Sequence, residues 1–239
     1  LGYNECVSYS FIDQTSAALF GGGTDATRLE NPISSDMSHM RPDLLPGLLQ
    51  AAARNQARGF ADMALFEVGP AFSGGEPGEE QVMVSGLLVG RTGPRDVHGA
   101  ARAVKADAEA VLAAIGAPAK VQILRGADEW WHPGRHGKIC LGPKKVLGVF
   151  GEVHPRVLAA MDVKGPAMAF TLYPAEVPLP RKSGATRPAL QISDLQAVER
   201  DFAFVVDADV EALALVNAAK GADKTLIEDV RVFDEFIGG

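Results

Sequence analysis

Apolar residues fall into a helical register most plainly at Leu44, Leu45, Leu48, Leu49 and Ala52, spaced i, i+1, i+4, i+5, i+8. That spacing stacks them on one face of an α-helix. Asp43 stands at the N-cap, Pro46 falls in the first turn where a missing N–H does no harm, and Gly59 closes the segment. The helix is about 22 Å long at the usual rise per residue, buried along one side and basic at its end through Arg54 and Arg58. A short buried strand, Met63 to Val68, follows.

The rest of the chain alternates strand and helix patterns. Tyr3 to Ile12 reads as one strand with its bulk supplied by Cys6, Val7, Tyr9 and Phe11, and Asp13 caps a short helix through Phe20. Gly21, Gly22 and Gly23 read as a helix end and turn, since no Lys-Ser or Lys-Thr follows to make a phosphate cradle. A Gly-rich turn after Phe72 leads into a returning strand, Gln81 to Gly90. Val104, Ala108, Val111, Leu112 and Ile115 repeat at helical spacing up to Gly116, so that helix packs flat on a sheet. Strands are expected at Val121–Leu124, Lys138–Leu141, Val146–Phe150 and Ala167–Leu172, with a short helix opened by His154-Pro155 and running to Met161. The fold class is α+β, a mainly antiparallel sheet flanked by helices.

Pro174 to Pro188 holds four prolines and little apolar periodicity, which marks a linker. The expected division is a domain over 1–176, a linker over 177–192 and a second domain over 193–239. Phe202–Val206 as strand, Glu211–Lys220 as a helix ended by Gly221, and Leu226–Phe236 as strand give βαβ. A split unit of this kind needs a third strand between the two. Without it the tail after about Ala197 is expected to be mobile, swapped or partly refolded, because unpaired strand edges seek partners.

Composition narrows the functional classes. The 239 residues are 47% hydrophobic with a net charge of -7, which excludes general adhesion to nucleic acid and leaves only local RNA contact. Cys6 and Cys140 form no disulfide or zinc spacing. No apolar run approaches the ~18 residues of a membrane span, and no leader pattern opens the chain, so a cytoplasmic location is expected. Leu1 and the terminal Gly238-Gly239 read as cuts in a longer polypeptide.

Candidate chemistry is sparse. His132 and His136 lie with Pro133, Gly134 and Gly137 in an apparent turn, His154 lies apart, and no carboxylates accompany them, so a structural role outweighs metal binding. Ser34, Ser35 and Ser38 near His39 lack a nucleophile elbow and read as turn formers. Glu67 reads as a buried hydrogen-bond partner or inactive remnant. Arg41, just before the helix, carries a fork of donors suited to clamping Asp36 or Glu67, with an interface role as the alternative.

Five motifs in order, LGYNECVSYSF, NPISSDMSHMRPDLLPGLL with LFEVGPAF, WHPGRHGKI, LGVFGEVHPRVL and AVERDFAFVVD, resemble the bacterial phenylalanyl-tRNA synthetase beta subunit over nearly the whole chain. The resemblance implies a C-terminal fragment: a class II synthetase-like module followed by the start of a ferredoxin-like anticodon-binding domain. Catalytic class II subunits hold ATP through arginines on two signature strands. The matching strand Glu67–Phe72 has no Arg before Arg91, and Ala169–Pro174 has neither glycines nor arginine. The module is thus expected to be non-catalytic and to bind no cofactor itself. ATP and magnesium serve the holoenzyme, an α2β2 heterotetramer whose alpha subunit activates phenylalanine, with the editing domain upstream. The resemblance further implies packing on that alpha subunit, with Arg41, Leu44, Leu48 and Glu67 as structural or interface residues and Arg200 and Arg231 as tRNA contacts; no membrane or DNA partner is expected. Leu195-Gln196 replaces the aromatic-Pro pair usual before the last motif. A free-standing ATP-using ligase and a non-enzymatic interaction module unrelated to tRNA are the alternative readings.

Overall fold

The computed structural model describes residues 1–90, 97–179, 189 and 194–236. The chain divides into two units, Leu1–Ser183 and Gly184–Gly239. Their border falls in the proline-rich stretch, most of which, with Arg91, lies outside the described residues.

The first unit is built on a seven-stranded sheet. Its strands are β1 (Asn4–Glu5), β4 (Met63–Phe72), β5 (Glu80–Val89), β6 (Gln122–Leu124), β7 (Trp131–Leu141), β8 (Lys145–Val153) and β9 (Ala167–Leu172), in the order β1-β4-β5-β9-β8-β7-β6. All neighbouring pairs are antiparallel except β1 with β4. Phe72 faces Glu80 across the expected Gly-rich hairpin. A separate two-stranded ribbon joins β2 (Phe11–Ile12) to β3 (His39–Met40).

Among the described residues four α-helices accompany these strands: α1 (Gln14–Leu19), α2 (Leu45–Ala57), α3 (Val97–Ala114) and α4 (Pro155–Ala160). Period-two alternation sorts the side chains onto two cores. Ala167 and Ala169 of β9 join Leu45, Leu48 and Leu49 of α2 in one, while Met168, Phe170 and Leu172 join Val104, Ala108 and Leu112 of α3 in the other. Both helices thus lie on the sheet, one against each face. Each fully buried leucine of α2 contributes about 1.5–3 kcal/mol over an exposed one.

Local chemistry sets the helix ends. Asp13 Oδ1 accepts from the Ser16 N–H, and His154 Nδ1 accepts from the Arg156 N–H. Gly59 ends α2 at φ +91°, its N–H donating to Gln56 O while Phe60 N–H reaches Asn55 O. No helix among the described residues is long and apolar enough to cross a membrane.

Three expectations need correction here. Tyr3–Ile12 is two short strands, not one, and the segment between them turns Val7 (92% exposed) and Tyr9 (72%) outward instead of into a core. The residues around His132 and His136 are not a turn; they lie in β7, as a wide bulge. Five steps from Trp131 to His136 are matched by only two from Val153 to Gly151 on β8. The buried strand after α2 runs on to Phe72, because β5 pairs with it along its whole length.

In the second unit α5 spans Ala212–Ala222, so Gly221 lies inside the helix and does not end it. Neither Phe202–Val206 nor Leu226–Phe236 joins a ladder. A strand is stable only beside a hydrogen-bonded neighbour, and the two flanks of a split unit do not neighbour each other. Phe202, Phe204, Phe233 and Phe236 are correspondingly exposed. Asp223 Oδ1 accepts from the N–H groups of Thr225 and Leu226, and Lys220 pairs with Asp229 at 3.1 Å.

Candidate functional site

The α2 face of the sheet carries a buried polar cluster at the point where the N-terminal segment, the loop before α2 and β4 converge. Arg41 is the one buried Lys or Arg among the described residues. Its Nη1 donates to Glu67 Oε1 at 2.6 Å and to Ser8 Oγ at 3.0 Å, and its Nε donates to the Pro70 carbonyl at 2.8 Å. Ser8 completes the triangle: its hydroxyl donates to Glu67 Oε2 at 2.6 Å and its N–H to Glu67 Oε1 at 3.2 Å. Asp36, the other carboxylate considered for Arg41, sits exposed in a short turn.

Small residues make room for this arrangement. A Cβ on Gly69 would stand 2.6 Å from Arg41 Nη2, and one on Gly47 of α2 would run into Ser8 Oγ. The Pro-Gly of the helix start therefore lets α2 approach the N-terminal segment, and Leu44 and Leu48 on the same turn are fully buried.

Beside it runs a second polar thread. Asp43 Oδ1 accepts from the Leu45 N–H at 2.8 Å and from Thr171 Oγ1 at 3.5 Å, and Thr171 shares a 2.8 Å hydrogen bond with Ser85 on the neighbouring strand. The helix N-cap is Leu44, one residue after the position expected from sequence; Asp43, just before it, still takes the Leu45 N–H and ties α2 to the sheet centre. Burial, opposed in part by these hydrogen bonds, pushes its carboxyl up to about 6. Ser8, Ser85 and Thr171 were not legible as members of a cluster; the only signal was a hydroxyl inside an otherwise apolar strand, at Ser85 and Thr171.

The other candidates are dispersed. His132 and His154 stack at 6.4 Å between ring centroids, each accepting a backbone N–H at Nδ1, while His136 spans the bulge between the His132 carbonyl and the Gly126 N–H. All three serve local backbone geometry. Burial, then Arg135, lowers the His132 pKa. Among the described residues no group of three metal-ligating side chains converges. Ser38 Oγ lies 2.9 Å from His39 Nδ1, but the buried Nε2 of that ring has no partner among the described residues, so no carboxylate orients it as a base. Burial raises the Cys6 thiol pKa, with Glu67 adding to the effect, and burial also raises that of Cys140, so neither is poised as a thiolate.

Arg200 and Arg231 lie in the second unit, both exposed, and Arg200 Nη1 donates to the neighbouring Glu199 carbonyl. Arg41, Leu44, Leu48 and Glu67 lie in the first. The arrangement around Arg41 is closed and internally satisfied, a clamp between three segments, with its strongest cation already paired.

Residues 1–173 match the sequence family described as phenylalanyl tRNA synthetase beta chain CLM domain, and residues 193–239 match the ferredoxin-fold anticodon binding domain. The chain is 83% identical over 244 residues to a phenylalanine–tRNA ligase beta subunit of Ruegeria pomeroyi, covering 100% of this chain and 31% of that protein. Its identity to the same-named subunit of Cereibacter sphaeroides is 70%, covering 100% of this chain and 30% of that protein. For Rhodospirillum rubrum the figures are 50%, 99% and 30%. The chain therefore spans about a third of the length of these relatives. A solved pyrrolysyl-tRNA synthetase from Desulfitobacterium hafniense shares the fold at TM-score 0.56 and 17% identity, covering 72% of this chain and 61% of that one.

Proposed function

Because the chain belongs to the phenylalanyl-tRNA synthetase beta chain family, we propose that it is the synthetase-like, non-catalytic part of a phenylalanine–tRNA ligase beta subunit, with a tRNA-binding segment attached. The whole enzyme joins phenylalanine to its tRNA with ATP and magnesium, as a cytoplasmic α2β2 assembly whose alpha subunit carries the chemistry. In this reading residues 1–176 form the class II-like module, 177–192 the linker, and 193–239 part of a ferredoxin-like anticodon-binding domain in which Arg200 and Arg231 meet RNA phosphates. Leu44 and Leu48 build the core behind the subunit contact, and Arg41 with Glu67 fixes its shape.

One observation carries the non-catalytic reading. A guanidinium that holds nucleotide phosphates must present free donors to the ligand. Here the one buried guanidinium among the described residues is spent on Glu67, Ser8 and Pro70. Equilibrium dialysis of ATP with magnesium tests this: the chain is expected to retain no nucleotide, whereas saturable binding would favour a free-standing ATP-using ligase.

A further inference from the structure

Three of the five histidines of the chain gather where the bulge of β7 meets the end of β8 and the start of α4. Each ring uses a nitrogen lone pair to hold a backbone N–H. His132 Nδ1 accepts from Gly134 at 3.1 Å, His136 Nε2 from Gly126 at 3.2 Å, and His154 Nδ1 from Arg156 at 3.1 Å. The first two bonds shape the bulge and its approach; the third caps α4.

The rings are also tied to one another. His136 Nδ1 donates to the His132 carbonyl at 2.6 Å, which fixes the tautomer whose Nε2 is left to accept, and the rings of His132 and His154 stack at 6.4 Å between centroids. An imidazolium carries N–H on both nitrogens and accepts no hydrogen bond. Each protonation therefore sets an N–H against a backbone N–H, and protonation of both stacked rings sets two like charges side by side.

The charged side chains around the cluster are paired. Arg135 grips Glu152 with Nε and Nη2 across β7 and β8, and Arg156 Nη2 meets Glu129 Oε2 at 3.0 Å at the head of α4. Burial, then Arg135, lowers the His132 pKa against the pull of Glu152. We infer that His132, His136 and His154 form a proton-operated latch: neutral, they hold the β7 bulge and the first turn of α4 in place, and on protonation they release both. The release reaches the interior, because Val157 and Leu158 of α4 share a core with Leu45, Leu48 and Leu49 of α2. The sign follows from His132, whose lowered value adds stability that is fully present above about pH 6.5 and is lost as pH falls.

Hydrogen exchange of individual amides in a full-length beta chain of this sequence, read by mass spectrometry and corrected for intrinsic rates, tests the latch. From about pH 7.5 to about pH 5.5 the N–H groups of Gly126, Gly134 and Arg156 are expected to lose protection about fivefold or more, the worth of one ordinary hydrogen bond each. The N–H that Tyr173 donates to the Leu147 carbonyl is expected to keep its protection. His132→Asn with His136→Gln and His154→Asn puts an amide oxygen in place of each accepting nitrogen and cannot be protonated, so its three amides are expected to show no such loss. Should that variant not fold, His154→Asn alone, which keeps a good helix cap, is expected to remove the pH dependence at Arg156 only. Unchanged protection in the original protein, or an equal loss in the variant, overturns the latch. So does a loss at Tyr173 as large as at the other three amides, since the whole unit then opens at once.

Discussion

Arg41 Nη1 lies 2.6 Å from Glu67 Oε1 with each side chain only 3% exposed, so the ion pair is formed away from water between the loop before α2 and the second strand of the sheet. Removing one member strands the other charge inside the protein. Arg41→Met is expected to cost about 3–5 kcal/mol, and Arg41→Met with Glu67→Met markedly less than the two single changes together. Urea denaturation of the four proteins measures both quantities; additive costs would show that the two groups act independently.

Asp43 has its own pH signature. Its carboxyl is raised from 3.8 to about 6 by burial, so the folded state holds a proton that the unfolded chain has released over that interval. Its contribution is therefore full below about pH 4 and is lost as pH rises through 6, a change of order 3 kcal/mol. Asp43→Asn keeps an acceptor for the Leu45 N–H and cannot ionise. The difference in urea midpoint between the variant and the original is expected to move in favour of the variant from pH 4 to pH 7, and a flat difference would contradict the assignment. Taking the difference also removes the opposite slopes of exposed carboxylates such as Asp223, whose pKa is lowered by backbone N–H donors from Leu226 and Thr225.

Gly151 faces the bulge of β7 at φ +144°, and a Cβ there would meet the Arg135 carbonyl and lie 2.5 Å from His136 Cα. Both contacts are with backbone, which cannot swing aside. Gly151→Ala is expected to cost about 1–3 kcal/mol and to shift the His132 and His136 ring signals in a ¹H–¹³C spectrum. Unchanged signals with unchanged stability would mean that the bulge does not depend on this glycine.

Leu48 is fully buried in the α2 core. Leu48→Ala should lose about 2–5 kcal/mol, and Leu48→Asp is expected to abolish folding, read as loss of near-ultraviolet circular dichroism. A folded Leu48→Asp protein that still binds its partner would refute the placement of α2 at the centre of the first unit.

In the full-length enzyme Arg200→Ala and Arg231→Ala are each expected to weaken tRNA binding and to reduce the slope of log K against log salt by about 1. An unchanged slope would remove that residue from the phosphate contacts.

The legible parts of the fold were those with a local cause. The leucine register and Gly59 located α2, Asp13 and His154 marked helix starts, and Ala167–Leu172 stood out as a short apolar run. Misreadings arose where tertiary contacts decide. Pro133 and Gly134 signal a turn locally, yet pairing with β8 absorbs them as a bulge. Val7 and Tyr9 have strand propensity, but Ser8 is the residue drawn inward, where its small hydroxyl accepts from Arg41 and donates to Glu67. The Arg41–Glu67 partnership was within reach, since an arginine beside a helix start and a glutamate in an apolar strand both need partners. The tie from Asp43 through Thr171 to Ser85 was not, because it joins residues 128 and 86 positions apart.

Sedimentation velocity of this chain mixed with the alpha subunit of a bacterial phenylalanyl-tRNA synthetase asks whether the first unit is a partner-seating module. A faster species containing both chains, absent from either alone, is the expected result. Independent sedimentation of the two, in an experiment where a full-length beta chain does form the faster species with the same alpha subunit, would contradict it by placing the subunit contact outside these residues.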